Sequence, residues 1–196
     1  MQIIEVNDKQ TTKQFHKFPH LIYKGDSNWT APIQGMVEDI FTPGKNKAFK
    51  NGKAIRWILV DDNKKLLGRI AAFINFNTSN TYEQATGCCG FFECTDNQEA
   101  ANLLFNTAAN WNKENGMEAM DGPINFGENF VNWGLLVDGF MPQAYGMQYN
   151  PKYYQKLFRT FGFEVYFEQY SYHVDYTTPL SERFCKIAEW VAKKPG

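Results

Sequence analysis

The sequence has no uncharged apolar run of membrane-crossing length, so it lacks the segment with which a helix would span a bilayer. It is also short of cysteine, with only Cys88, Cys89, Cys94 and Cys185. The first of these lie in one strand-like run, where neighbouring side chains point to opposite faces, so a disulfide framework is not expected. His16, His20 and His173 stand apart among apolar neighbours and make no metal-ligand spacing with the cysteines, so no structural zinc is expected. Nor is there an excess of charge: a formal net charge of −1 gives no broad cationic field for nucleic acid or an acidic membrane surface. The opening residues, MQIIEVNDKQ, carry neither the basic start nor the apolar run of a secretion signal, and a cytoplasmic location is expected.

Aromatic residues, by contrast, are plentiful, at 16% beside 43% hydrophobic and 21% charged residues. A chain of 196 residues with that balance is globular and long enough to bury the core of one ordinary domain.

Periodicity divides the chain. A short strand at Ile3 to Val6 precedes a helical spacing of Phe15, Phe18, Leu21 and Ile22, with Thr11 or Thr12 as the N-cap, Gly25 as the stop, and Pro19 kinking or shortening the helix. A short helix falls within PIQGMVEDIF, where Met36, Ile40 and Phe41 could share a face. AIRWILVDDNKKLLGRIAAFINF reads as a hairpin about the turn Asp61 to Lys65, and TGCCGFFECT as a further strand. In DNQEAANLLFNTAANWNKENG, residues Ala100, Leu103, Leu104, Thr107, Ala108 and Trp111 predict a helix from about Asn97 to Asn115. Asp96 is its expected N-cap, Glu99 completes a capping-box spacing, and Gly116 stops it.

MEAMDGPI then predicts a strand, and NPKYYQKLFRTFGF a helix capped by Asn150 and ended by Gly162. EVYFEQYSYHVDY alternates as a strand, and SERFCKIAEWVAKK carries an apolar helical stripe. The whole is an α+β (or α/β) arrangement, a mixed central sheet flanked by helices.

This element order resembles the GNAT superfamily of acyl-CoA-dependent N-acetyltransferases. VDDNKKLLGRIAA looks like that family's second and third strands, and YYQKLFRTFGFE like its helix followed by Gly-Phe. More narrowly, YKGDSNWTAPI, GFFEC, GPINFGEN, GLLVDGF and YNPKYY resemble a set of bacterial GNAT-like proteins of roughly twice this length. On that resemblance the chain is the N-terminal half, with a GNAT-like domain over residues 1–178. A C-terminal amphipathic helix and the start of a linker to a second domain would occupy residues 179–196.

The resemblance implies a bound acetyl-CoA or other acyl-CoA where the fourth and fifth strands splay apart. The fourth strand would pair with the pantetheine arm, and the start of the long helix would hold the pyrophosphate. Cofactor contacts then fall to Gly90, Phe91, Phe92, Cys94 and Asn97. The family's glycine-rich turn is absent here, and Glu93, Asp96 and Glu99 crowd the helix start, where carboxylates would repel a diphosphate. Phe158 takes about the place of the tyrosine that protonates the leaving thiolate, so Tyr153 or Tyr154 would have to substitute for it.

The stretch GPINFGENFVNWGLLVDGF, residues 122–140, would lie beside the cleft mouth. Glu128 could take a proton from a small-molecule amine, Asn125 and Asn129 could orient it, and Trp133 could cover it. Turn formation by Asn and Gly, with Trp133 and Leu135 as packing, accounts for the same residues. Arg56 and Arg69 are expected to be solvated or paired rather than anion-binding, and Cys94 to be a buried structural thiol. The expected activity is acyl transfer from CoA to an amine. The alternative is a GNAT-like half without catalysis that shapes a substrate cleft or packs on a catalytic domain. A third reading, a protein-interaction domain, rests on the aromatic content alone.

Overall fold

In a computed structural model of the chain, which describes residues 1–81, 83–127, 133–175 and 177–193, the alternating apolar runs assemble into one five-stranded sheet. Its spatial order is β1 (Gln2–Glu5), β2 (Gly52–Val60), β3 (Leu66–Asn75), β4 (Thr86–Cys94) and β5 (Ala119–Asp121). The first four are antiparallel neighbours, and β5 joins β4 in parallel, which gives the expected mixed sheet. Strand alternation sorts the side chains to the two faces. Ile58, Val60, Ala71, Phe73 and Phe91 meet α1 (Lys9–Ile22) and α2 (Gln34–Ile40) on one face. Trp57, Leu59, Ile70, Ala72 and Cys89 meet α3 (Gln98–Glu114) and α4 (Tyr154–Phe161) on the other.

The helix ends depart from expectation in ways local chemistry explains. Asp8 caps α1, not Thr11 or Thr12: its carboxylate accepts from the Thr11 amide at 2.7 Å, and the Thr11 hydroxyl closes the reciprocal box. The helix continues through Pro19 to Ile22. Asn97 caps α3 in place of Asp96, accepting from the Ala100 amide at 3.0 Å, a contribution of about 1 kcal/mol. Gly162, at φ +115°, ends α4 as expected, and Asn150 is not its cap. In α2 it is Val37 that is buried, while Met36 is exposed.

The described residues divide into two compact units, Met1–Phe163 and Glu164–Gly196. The second contains α5 (Glu182–Ala192). The alternation of EVYFEQYSYHVDY predicts a strand, yet residues 164–175 form neither strand nor helix, and Tyr176 lies outside the described residues. A strand exists only where its backbone finds a partner edge, and none of the described residues supplies one. Val165, Tyr166, Phe167, Tyr170 and Tyr172 are all exposed, so apolar residues occupy both faces of the alternation and neither face is buried.

Candidate active site

The parallel pairing of β4 and β5 is brief. Thr86, Gly87 and Cys88 face Ala119, Met120 and Asp121, after which the chain leaves the strand line through Gly122 and Pro123. One further bond, from the Ile124 amide to the Cys89 carbonyl at 2.9 Å, holds it. Among the described residues, Gly90 to Cys94 make no backbone bond to the segment after β5, so the two strands part as the fourth and fifth strands were expected to.

β4 also bends here. Its register with β3 jumps from Arg69 opposite Glu93 to Ala71 opposite Gly90, which sets Phe91 and Phe92 against the single residue Ile70. This is a bulge, and Phe91 takes φ +52° within it. The extra residue resets the alternation: Phe91 packs toward α1, and Phe92 toward α3, stacked on Phe105 at 4.4 Å.

The wedge the parting strands create is filled by α4. The Cys94 amide donates to the Tyr154 hydroxyl at 2.8 Å, and the Tyr153 hydroxyl donates to the Cys94 carbonyl at 2.7 Å. Phe158 is buried and lies edge-on to Phe92 and Phe105. The space left among Phe92, Pro123, Leu135, Tyr154 and Phe158 is about 20 Å³, enough for about one water. At Gly90 a Cβ would sit 1.9 Å from the Ile124 carbonyl oxygen, so glycine is required there by the neighbouring backbone. As packed, these residues do not fit a pantetheine arm along β4, because the Cys94 amide and carbonyl are already bonded to Tyr154 and Tyr153 and only about 20 Å³ is left beside them.

Tyr154 also links this edge to a buried polar cluster. Its hydroxyl donates to Glu93 Oε2 at 2.8 Å, the Tyr23 hydroxyl donates to the same oxygen at 2.9 Å, and Arg69 lies 3.6 Å from Oε1. Glu93 therefore does not crowd the helix start, as its place in the sequence suggests; it points inward and is 5% exposed. Burial raises the Glu93 carboxyl, and Arg69 with the tyrosine hydroxyls offsets only part of that rise. Burial, then the Glu93 charge, lifts Tyr23 and Tyr154 well above the ordinary phenol value. Tyr153 rises too, first through burial and then through Cys94 and Glu93. All of these hydroxyls hold their protons at neutral pH. Arg56 and Arg69 are both paired, as expected, Arg56 with Glu38 at 2.5 Å.

The other expected site residues scatter. Asn97 serves as a cap, and Gln98 beside it ties α3 to α4 by donating to the Leu157 carbonyl at 3.1 Å. The Cys94 thiol is buried, and burial pushes it up to about 12, so it is no nucleophile. Asn125 is buried, with its oxygen on the Phe126 amide at 2.7 Å. Trp133 donates from Nε1 to the Gly146 carbonyl at 3.3 Å. Asn150 both accepts from the Leu136 amide and donates to its carbonyl, fastening the loop before α4. Glu128 and Asn129 lie outside the described residues. Sequence reasoning missed the Tyr23–Glu93–Arg69 cluster. Its one legible signal is that Arg69 and Glu93 sit in neighbouring strands of like facing.

Among solved structures, a candidate acetyl transferase from Pyrococcus furiosus is similar at TM-score 0.50. The likeness covers 88% of this chain and 100% of that one, at 13% sequence identity. The chain has the GNAT acyl-CoA N-acyltransferase fold. A GNAT-family acetyltransferase from Staphylococcus aureus MU50 is similar at TM-score 0.42 and 14% identity, with 63% of this chain and 72% of that one covered. No family model matches the sequence. Protein YghO of Escherichia coli K12 is 28% identical over 133 residues, 68% of this chain. The match spans about a third of that relative, 33% of its length.

Among the described residues no three His, Cys, Asp or Glu side chains come together to hold a metal ion, and no helix is long and apolar enough to cross a membrane.

Proposed function

We propose that the chain is an acyl-CoA-dependent N-acyltransferase, with acetyl-CoA the first donor to test and a small amine as acceptor. The observation that carries this reading is the parting of β4 from β5 after Cys88 and Asp121, beside a bulge at Phe91, within a GNAT fold. CoA supplies the activated acyl group. This chain's own part is to exclude water from the β4 edge and to keep protonated hydroxyls beside it. Tyr153, half-buried with its proton on the Cys94 carbonyl, is the proposed proton donor. Tyr154, fully enclosed and committed to Glu93, is the proposed positioning residue. Glu128 is the proposed base toward the amine, with Asn125, Asn129 and Trp133 as the proposed rim.

Thiol release from acetyl-CoA with a panel of small amines tests the reading. Turnover that falls about a hundredfold in Tyr153→Phe and in Glu128→Gln supports both roles, the size usual for a general acid or base. Turnover unchanged in both variants removes them.

One observation favours a second reading. The wedge holds about 20 Å³ and the Cys94 amide and carbonyl are already paired, as they would be in a GNAT-like half that no longer binds CoA and instead packs against a catalytic partner domain. In that case the chain shows no saturable response to any CoA thioester.

A further inference from the structure

On the sheet face opposite α3, a cavity of about 200 Å³ opens between α1, α2 and the Trp29–Pro32 segment. Its wall carries the cations Lys13 and Lys17 of α1 and Arg69 of β3, with His16 and His20 of α1 among them. Among the described residues no carboxylate lines it. Two acids bear on this wall from outside it: Glu38 bonds His16 and Arg56, and Glu93 bonds Tyr23 and Tyr154 and lies 3.6 Å from Arg69.

Arg69 is the informative residue. It is 3% exposed, donates to the Phe15 carbonyl at 3.0 Å, and its guanidinium lies over the Phe15 ring at 4.6 Å. Its Nε is buried and has no hydrogen-bond partner among the described residues. Burial works against the Arg69 charge and Glu93 at 3.6 Å offsets part of that, but Nε is left as an idle buried donor, which is costly unless something accepts from it. Guanidinium groups match oxyanions in geometry as well as charge. Trp29, stacked on Tyr23 at 4.6 Å with His20 edge-on at 5.2 Å, gives the cavity a rigid aromatic wall.

We propose that this cavity binds a small molecule through an oxyanion group, a phosphate or a carboxylate, held by Lys13, Lys17 and Arg69 with its body against Trp29. The volume is below the roughly 300 Å³ of pockets for larger ligands, which suits a small ligand. The proposal does not depend on acyl transfer, since binding is read without CoA.

The test is titration of the 196-residue chain with inorganic phosphate and separately with succinate, at fixed ionic strength. The Trp29 indole and α1 amides are followed by NMR. Saturable shifts confined to α1 and Trp29 are expected, and they weaken about tenfold or more in the double variant Lys13→Gln/Lys17→Gln, about 1.4 kcal/mol or more. The control Lys50→Gln/Lys113→Gln, with the same charge change on exposed residues away from the cavity, is expected to bind as the native chain does. Response to phosphate alone or succinate alone identifies which oxyanion the site takes, and either supports it. Absence of saturable shifts with both anions overturns the proposal, as does equal weakening in the control. Arg69→Lys, which keeps the charge but loses Nε and the fork, is expected to weaken binding while its melting transition remains cooperative. Full-strength binding in that variant overturns the role of Arg69.

Discussion

The Tyr154 hydroxyl accepts the amide proton of Cys94 at 2.8 Å and gives its own proton to Glu93 at the same distance. One oxygen thus closes the free edge of β4 and satisfies a buried carboxylate. Tyr154→Phe leaves the Cys94 amide without a partner and takes a donor from Glu93. Chemical denaturation is expected to show a loss of about 2–3 kcal/mol. A loss below about 0.5 kcal/mol would mean that the edge is satisfied in some other way.

Glu93→Ala is expected to cost more. It leaves the Arg69 guanidinium buried without its counter-charge and takes an acceptor from the hydroxyls of Tyr23 and Tyr154. Breaking one side of a buried pair typically costs about 3–5 kcal/mol, and the unfolding midpoint in denaturant should fall accordingly. Wild-type stability in this variant would contradict the inward placement of Glu93.

Glu38 provides a pH-dependent contribution. Burial alone would raise its carboxyl, but hydrogen bonds from His16 and Arg56, with the Arg56 charge, hold it at about 2 against an ordinary 4.5. A carboxyl lowered by folding stabilises above its unfolded value and loses that contribution as pH falls toward its folded value. The difference in stability between the native chain and Glu38→Gln should therefore be full at pH 5 and above, and shrink between about pH 4.5 and pH 2. Melting curves at several pH values measure it, and a difference that stays constant to pH 2 would contradict the pairing.

Thiol labelling separates the cysteines. Cys89 and Cys94 are fully buried, and Cys185 is exposed. Burial, with the Asp121 charge second, also raises Cys88 to about 12. A thiol reagent at neutral pH is expected to modify Cys185 first, and Cys89 and Cys94 only on unfolding. Mass spectrometry of the labelled peptides decides this, and rapid labelling of Cys94 would contradict the closed β4 edge.

What was legible in the sequence follows from what is local. The hairpin about Asp61 to Lys65 and the helix from Gln98 to Glu114 were readable because apolar period and turn chemistry agree within each segment. The N-caps shifted by one to a few residues because Asp8, Asp96, Asn97 and Thr11 are all competent caps, and the approach of the chain chooses among them. The bulge at Phe91 left no distinct signal, since the adjacent Phe91 and Phe92 read equally as a strand covered on both faces. The expected strand after Gly162 has the right alternation but no partner edge among the described residues, and pairing is not written in one segment. Of the site, the parting strands were foreseen from the GNAT resemblance. Their filling by Tyr153, Tyr154 and Phe158 was not, because it depends on how α4 packs across β4.

Gly90 illustrates the same limit. It was expected to touch a cofactor, and it touches the Ile124 carbonyl. Gly90→Ala is therefore expected to destabilise the chain by about 1–3 kcal/mol through overpacking, measured by thermal unfolding without any ligand. An unaffected midpoint would show that the segment after β5 is free to move away from β4.

The central proposal is that the chain binds a CoA thioester at the β4 edge, which requires Tyr153 and Tyr154 to give up their bonds to Cys94. Thermal unfolding with increasing acetyl-CoA and a longer acyl-CoA, in the native chain and in Tyr153→Phe, tests it most directly. The account predicts a saturable rise in midpoint, equivalent to about 2.7 kcal/mol at a hundred times the dissociation constant. The rise should set in at lower ligand concentration in Tyr153→Phe, where the Cys94 carbonyl is already free. No shift in either protein at millimolar thioester would contradict it.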